Sequence, residues 1–386
     1  MVRDGRRYLL VAIGLASLIA TLFVSFLLVT GFPPGAISPD GASYMTVTDY
    51  FRGEEVILST WRVSRPIVPL LALPLSYLMS TELSFLIVNS VLFVLLVGVF
   101  FKLAEHLLGA PKLAFYAAIL LIFAFPVYYR GINVTVDLAS WLIIVVTARV
   151  LLELENRGAL TGAVCSALAA LCAFGTLVTE LVFASFLLVL CFYLIKRWGE
   201  RPLRLLLRDS VIICVSFAVV IVVLQLTIYL IFDSSVLDKA QRQMIWFANN
   251  PLNLGPAGFV RVLVGAFLVS LLLVPLGMLD IRRSVRNREL LVAMLVSALL
   301  TLAAVYTNSI RFVFVLFPVV FPIAVLGIAR LAQTGRSMFR FGSLGALITE
   351  VLLLSAVCAF NLLAYAGFLR YGSTIEMARQ FIPFLL

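Results

Sequence analysis

The sequence predicts an all-α protein: a polytopic membrane helix bundle of about eleven transmembrane helices, with external juxtamembrane helices and one short re-entrant or interfacial helix. Three observations predict it. Of 386 residues, 63% are hydrophobic and 12% charged, whereas soluble chains carry about 25% charged residues. Apolar runs long enough to cross roughly 30 Å of hydrocarbon recur along the chain. Basic residues gather in alternate gaps between those runs, as the positive-inside rule requires.

The spans fall at 8–30, 84–104, 113–128, 136–154, 159–176, 180–195, 210–232, 259–279, 290–306, 312–329 and 344–367. The first run follows "MVRDGRRY" and is too long for the apolar core of a cleaved signal peptide, so it reads as an uncleaved anchor. A twelfth run, "PIVPLLALPLSYLMS" at 66–80, is short and carries Pro66, Pro69 and Pro74. Charge decides its topology. If it does not cross and the N-terminus is cytoplasmic, most of the 29 basic residues lie inside: Arg3, Arg6 and Arg7, then Lys102 and Lys112, Arg157, the cluster from Lys196 to Arg208, the cluster from Arg282 to Arg288, and Arg330, Arg336 and Arg340. If it crossed, every later cluster would flip. The run is therefore expected to lie beside the bundle, where protein or a water-filled cavity covers it.

On this reading residues 1–386 form a single transmembrane domain. Residues 31–83 form an external loop with surface helices, and 368–386 a short external tail. The protein is multi-pass in the cell membrane. The net charge of +10 follows from topology and anionic headgroups and does not call for nucleic acid. Cys165, Cys172, Cys191, Cys214 and Cys358 lie in apolar runs without CxxC spacing and read as small buried hydrophobes. The lone histidine, His106, excludes a multi-histidine metal site. "NVT" at 133–135 is a glycosylation pattern, but it lies so close to a span that it is expected to be unmodified.

The external side collects the informative residues. "SPDGASYMTVTDYFRG" reads as a surface helix: Ser38 suits the N-cap, Pro39 the first helical position, and Gly53 the end. Tyr44, Val47 and Phe51 share one face. Asp40 falls in the first turn, where the helix dipole favours a carboxylate; the alternative reading is that it only caps the helix. Arg62 and Arg65 follow in "WRVSRP". Asp137 opens one span after "YYRGINVTV", Glu180 another after "GTLVT", and Arg311 a third after "YTNSI". Carboxylates suit proton abstraction from a hydroxyl or amine, and arginines grip phosphate with paired donors. Their gathering at a lipid boundary points to transfer of a group from a phosphorylated lipid. A transporter or lipid flippase explains the spans equally well, but predicts ionisable residues near the midplane, where these spans are nearly charge-free. A non-catalytic scaffold would need neither the proline-broken helix nor the loop carboxylates.

At these residues a family resemblance enters. "DGASYMTVTDYFRGEE…TWRVSRPIVPLLALPLS" resembles the first external loop of the GT-C membrane glycosyltransferases, relatives of the protein mannosyltransferases and the bacterial aminoarabinose transferases, through Asp40, Tyr44, Arg65, Pro66 and Pro69. "VTVDLASWLIIV", "AFGTLVTELVFASFLLVL" and "NSIRFVFVLFPVVFPIAVLGIARLA" resemble later helix starts of the same family, through Asp137, Thr179 with Glu180, and Arg311, Phe312 with Pro318. The resemblance covers residues 1–340 in order and spacing. Two departures stand out: Asp40 is followed by Gly41 rather than a second acidic residue, and only about twenty residues follow the last span.

The resemblance implies a polyprenyl-phosphate (dolichyl-phosphate-type) sugar donor and a lipid, glycan or protein acceptor at the outer face. Asp40 would be the general base of an inverting reaction, with Asp137 and Glu180 ordering hydroxyls. Arg62, Arg65 and Arg311 would hold the phosphate. Tyr44, Tyr128, Tyr129 and Trp246 would line the sugar. No metal is required, although Asp40, Asp137 and Glu180 would ligate one divalent cation if they converged. Another lipid-phosphate transferase, of the phosphoethanolamine or O-antigen ligase kind, is an alternative.

Overall fold

The computed structural model describes residues 2–30, 39–56, 62–232, 256–305, 310–339 and 343–371. No strand occurs among them; the chain is a helix bundle. Helix lies under each of the eleven apolar runs. Five helices are long and apolar enough to cross a membrane by length and composition: Asp4–Thr30, Thr81–Leu108, Leu203–Ile231, Ile310–Ser337 and Leu344–Ala366. The remaining runs are shorter or interrupted.

α1 (Val2–Thr30) turns Ala12, Ala16, Ala20, Phe23 and Leu27 inward. Their 3–4-residue spacing makes one stripe, and it packs on α4 (Thr81–Leu108) and α5 (Pro111–Ile122). Ser80 caps α4, and Gly109 ends it at φ 65°. Between these elements lie α2 (Pro39–Phe51) and α3 (Ile67–Ser76). α3 spans only ten residues, a rise of about 15 Å, half the hydrocarbon thickness. The proline-rich run thus forms a short helix, packed on α2 and α4.

Three interruptions shape the rest. The run at 113–128 stops as α-helix at Ile122 and, after Pro126, continues as a π-helical turn, Val127–Gly131. Proline removes a ladder donor, and π-turns commonly sit at functional sites. α6 (Asp137–Asn156) then runs unbroken. α7 (Gly162–Phe174) and α8 (Phe183–Arg197) are separated by two 3₁₀ turns, Gly175–Leu177 and Glu180–Val182. After α9 (Leu203–Phe232), the run at 259–279 divides into α10 (Pro256–Phe267) and α11 (Ser270–Met278). Leu268, at φ 45°, makes the break; a branched side chain adopts that left-handed backbone only at a cost.

The bundle closes on α15 (Phe317–Phe339), almost wholly buried, which packs on α5, α11 and α16 (Ser343–Tyr371). α12 (Ile281–Ser284), α13 (Arg288–Val305) and α14 (Ile310–Val313) precede it. α11 and α15 approach closely because each offers a glycine to the other's backbone. A Cβ on Gly277 would collide with the Ile323 carbonyl, and one on Gly327 with the Leu273 carbonyl. Small residues at membrane helix crossings let backbones meet in this way.

Contacts separate two ends of the bundle. At one end, Lys196 pairs with Glu155, Arg197 donates to the Leu160 carbonyl, Arg201 and Arg208 pair with Asp209, Arg330 pairs with Asp280, and the Arg286 amide donates to the Leu107 carbonyl. At the other end lie Tyr44, Arg65, Asp137, Glu180 and Arg311. Glu155 and Asp137 lie on one helix, 18 residues apart, so the two ends are about 27 Å apart.

The glycine pair yields a prediction. Gly277→Ala and Gly327→Ala should each lower stability by about 1–3 kcal/mol through overpacking against backbone. Gly14→Ala meets nothing within 4 Å and should be neutral or stabilising. Thermal unfolding in detergent checks all three; equal midpoints would contradict the close crossing.

Candidate functional site

The site begins with α2. Pro39 occupies its first position and Asp40 the second, so the Asp40 backbone lies in the first turn; its side chain, like Ser38 and Trp246, lies outside the described set. Gly53, at φ 91°, lets the chain leave the helix end. Tyr44, Val47 and Thr48 face inward. Three bonds hold α2 down. Thr48 Oγ1 donates to the Pro69 carbonyl at 3.4 Å, Arg52 Nη1 to the Ser76 carbonyl at 2.8 Å, and Thr81 Oγ1 to Asp49 Oδ1 at 2.7 Å. Asp49 also pairs with Arg52 at 3.3 Å. This acidic residue ties α2 to the start of α4.

The turn before α3 brings two guanidiniums onto one phenol. The Arg65 amide donates to the Arg62 carbonyl at 3.0 Å, closing a tight turn. Arg62 Nη1 and Arg65 Nη1 donate to Tyr44 Oη at 3.0 and 2.9 Å, and Arg62 Cζ lies 4.9 Å from the Tyr44 ring centre. Arg65 Nη2 donates to Glu180 Oε2. Thr179 Oγ1 donates to the same oxygen at 3.1 Å and accepts from the Leu181 amide, capping the 3₁₀ turn. Asp137 opens α6 and is 1% exposed; Arg311 Nη1 is 3.9 Å from its Oδ1. Burial alone would lower the Arg65 pKa. The charges of Glu180, Tyr44 and Asp137, with the Tyr44 hydrogen bond, outweigh it and hold the pKa above the ordinary arginine value.

Six of the sequence-derived candidates therefore meet in one cluster: Tyr44, Arg62, Arg65, Asp137, Glu180 and Arg311. Tyr44 meets the cluster through its hydroxyl and is 1% exposed. Tyr128 sits apart, in the apolar core. Its hydroxyl donates to the Ile122 carbonyl at 2.7 Å, and its ring packs on Phe23 and Tyr365. Tyr129 stacks on Phe125 under the Arg130 guanidinium.

A small apolar cluster floors the site. It joins Tyr44 to Val68 and Ala72 of α3, Phe85 of α4, Val134 and Val136 of the loop before α6, Ala139, and Val178. On α4, which lends Phe85 to this cluster, Asn89 is a residue that sequence reasoning missed. It is fully buried in α4, and its Nδ2 donates to the carbonyls of Asn133 and Thr135, the second at 3.1 Å. Thr135 Oγ1 in turn donates to the Arg130 carbonyl. These bonds fix the loop that presents Asp137. The signal was available: an amide inside "FLIVNSVLFV" has no partner in lipid and must find one in protein. Asn133 and Thr135 of the glycosylation pattern are buried here.

Among the described residues, no three His, Cys, Asp or Glu side chains gather as a metal-holding group. The free cysteines are buried or half-buried.

No protein-family model matches the sequence, and no curated protein matches it. Solved structures do. ArnT from Cupriavidus metallidurans, bound to undecaprenyl phosphate, aligns over 93% of this chain and 73% of its own, with a TM-score of 0.53 and 14% identity. The oligosaccharyltransferase of Archaeoglobus fulgidus aligns over 96% of this chain and 56% of its own, with a TM-score of 0.54 and 11% identity. The chain shares the fold of these membrane proteins. The polytopic helix bundle expected from the sequence is thus an architecture this chain shares with them. At these identities the likeness concerns the backbone alone, so the site has to be judged on its own residues.

Two substitutions test its construction. Tyr44→Phe removes the oxygen that accepts from both arginines, and Asn89→Leu removes the donor to two loop carbonyls. Each should cost about 1–3 kcal/mol, the penalty for stranding buried polar groups. Thermal unfolding of purified variants measures it, and an unchanged midpoint in either variant would contradict the corresponding contacts.

Proposed function

We propose that the protein is an integral-membrane glycosyltransferase taking a sugar from a polyprenyl-phosphate donor at the external face of the membrane. One observation carries the reading: three guanidiniums and two carboxylates converge at one end of a bundle whose fold is shared with ArnT, solved bound to undecaprenyl phosphate. Guanidinium groups bind phosphate oxygens in paired, charge-assisted bonds. The second end carries the arginine-rich turns, which suits the cytoplasmic side and leaves the cluster outside.

In the proposed reaction Asp40 accepts the proton of the acceptor hydroxyl or amine as that group attacks the anomeric carbon. The bond from that carbon to the phosphate oxygen breaks on the opposite face, and the configuration inverts. The leaving polyprenyl phosphate keeps the bonding pair, and Arg62, Arg65 and Arg311 stabilise its charge. Asp137 and Glu180 orient the arginines and the sugar hydroxyls. Tyr129 and Trp246 are the aromatic candidates for the sugar rim. Asp40, as the second residue of α2, sits where a helix dipole favours a carboxylate. The reaction is proposed to run without a metal, and the acceptor is a lipid, glycan or protein.

Purified protein incubated with radiolabelled polyprenyl-phosphate sugars and mixed acceptors tests the reading directly. Asp40→Asn preserves capping but not basicity, so turnover at saturating donor should fall by about 10²–10⁴. Asp49→Asn keeps an acceptor for Thr81 and should stay near wild type. Arg311→Ala should weaken donor binding by about 1.5–3 kcal/mol. Near-normal turnover in a folded Asp40→Asn variant would remove Asp40 as the base.

A further inference from the structure

We infer that Glu180 is an internal stand-in for the lipid phosphate: it occupies the anion position on Arg65 when the site is empty and returns to it to displace the phosphorylated product. The inference rests on the polyprenyl-phosphate reading above and assigns Glu180 a competing role in place of an ordering one.

The geometry argues for exchange. The Arg65 side chain is 2% exposed, whereas Glu180 is 21% exposed. The carboxylate is thus the more exposed half of the pair. Arg65 Nη1 is directed at Tyr44 Oη and Nη2 at Glu180 Oε2. Nη2 carries two N–H groups, so a phosphate oxygen that takes a bond from it either replaces Glu180 Oε2 or sits beside that carboxylate on the same nitrogen. Carboxylate and phosphate are both acceptor-only anions, and in a site of low dielectric two of them on one nitrogen repel. Tyr44 is a phenol and does not compete in this way.

Glu180 is also placed to move. It stands at the start of a three-residue 3₁₀ turn between α7 and α8, after an extended Thr179 at φ −171° and ψ 161°. No long helix ladder holds its backbone, and the contacts of its side chain include Arg65 and Thr179 Oγ1. A change of side-chain rotamer frees Arg65 Nη2 without moving either helix.

Charge gives the exchange a direction. A polyprenyl-phosphate sugar is a phosphodiester with one negative charge. The released polyprenyl phosphate is a monoester, carrying about −1.5 to −2 at pH 7. Three arginines would hold that product more strongly than the donor. A nearby carboxylate that competes for Arg65 weakens the grip where it is tightest and speeds release.

Binding of undecaprenyl phosphate to the full-length protein in detergent tests this. Glu180→Gln should bind it about tenfold more tightly than wild type, since a competing charge-assisted bond is lost. Turnover should fall with KM, as product lingers. Thr179→Val, which removes only one bond holding the carboxylate, should tighten binding about two- to threefold and serves if Glu180→Gln does not fold. A purely structural Glu180 predicts the opposite sign, because its loss would loosen Arg65. Wild-type binding with unchanged or weaker binding in the variants overturns the stand-in role and leaves the proposed function intact. No binding of undecaprenyl phosphate by wild type overturns both.

Discussion

The candidate site depends on keeping one guanidinium charged where almost no water reaches it. An isolated ion moved into such surroundings would cost many kcal/mol. Arg65 survives there because Tyr44 and Glu180 supply acceptors and Asp137 adds to the negative field. These partners come from three separate parts of the chain. Each must arrive in register or the charge is stranded, so the one ion constrains α2, the 62–65 turn, the 3₁₀ turn at 180 and the start of α6 together.

The bundle meets that demand by ending helices where charge is needed. Asp137 is the first residue of α6 and Glu180 the first of its 3₁₀ turn. Helix starts present unsatisfied amides and a partial positive charge, which favour carboxylates. Beneath them, Val68, Phe85, Val134, Val136 and Val178 form an apolar floor, and the buried Asn89 amide grips the loop that leads into α6. The floor excludes water from one side of the arginines, and that makes each remaining polar contact stronger. α3 contributes by being short. A ten-residue helix beside the bundle leaves room for α2 and the arginine turn at the membrane boundary.

Much of this was legible in the sequence, for identifiable reasons. Apolar runs and basic clusters report directly on lipid and its boundary, so the helical runs and the short proline-rich helix at 66–80 could be read. Ionisable groups at span ends are individually common, and Asp137, Glu180 and Arg311 stood out because the runs place them together on one side of the bundle. Which of them pair did not stand out. Arg65 and Glu180 are separated by more than a hundred residues, and nothing local encodes that contact. Tyr44 and Tyr128 looked alike as interfacial aromatics. The structure separates them: one hydroxyl joins the arginines, while the other closes on a carbonyl inside the core. Interruptions at Leu268 and at the π-turn after Pro126 were hidden because hydropathy is blind to backbone twist. Asn89 was passed over as one polar residue in an apolar run.

Fold and site therefore carry different weights in the functional argument. A helix bundle needs only apolar faces in the right period, and that leaves the sequence wide freedom, as alignments at 14% and 11% identity illustrate. Shared backbone does not establish shared chemistry. The charged cluster is less free. Removing one partner of a buried pair costs about 3–5 kcal/mol, yet replacing a whole pair with well-packed apolar residues is often neutral or stabilising. Stability alone would thus be served as well by leucines and phenylalanines, which this chain has in abundance. Three arginines and two carboxylates held at one end of a greasy bundle make physical sense as a binding surface for an anion that comes and goes, and it is on that surface, more than on the fold, that the functional reading stands.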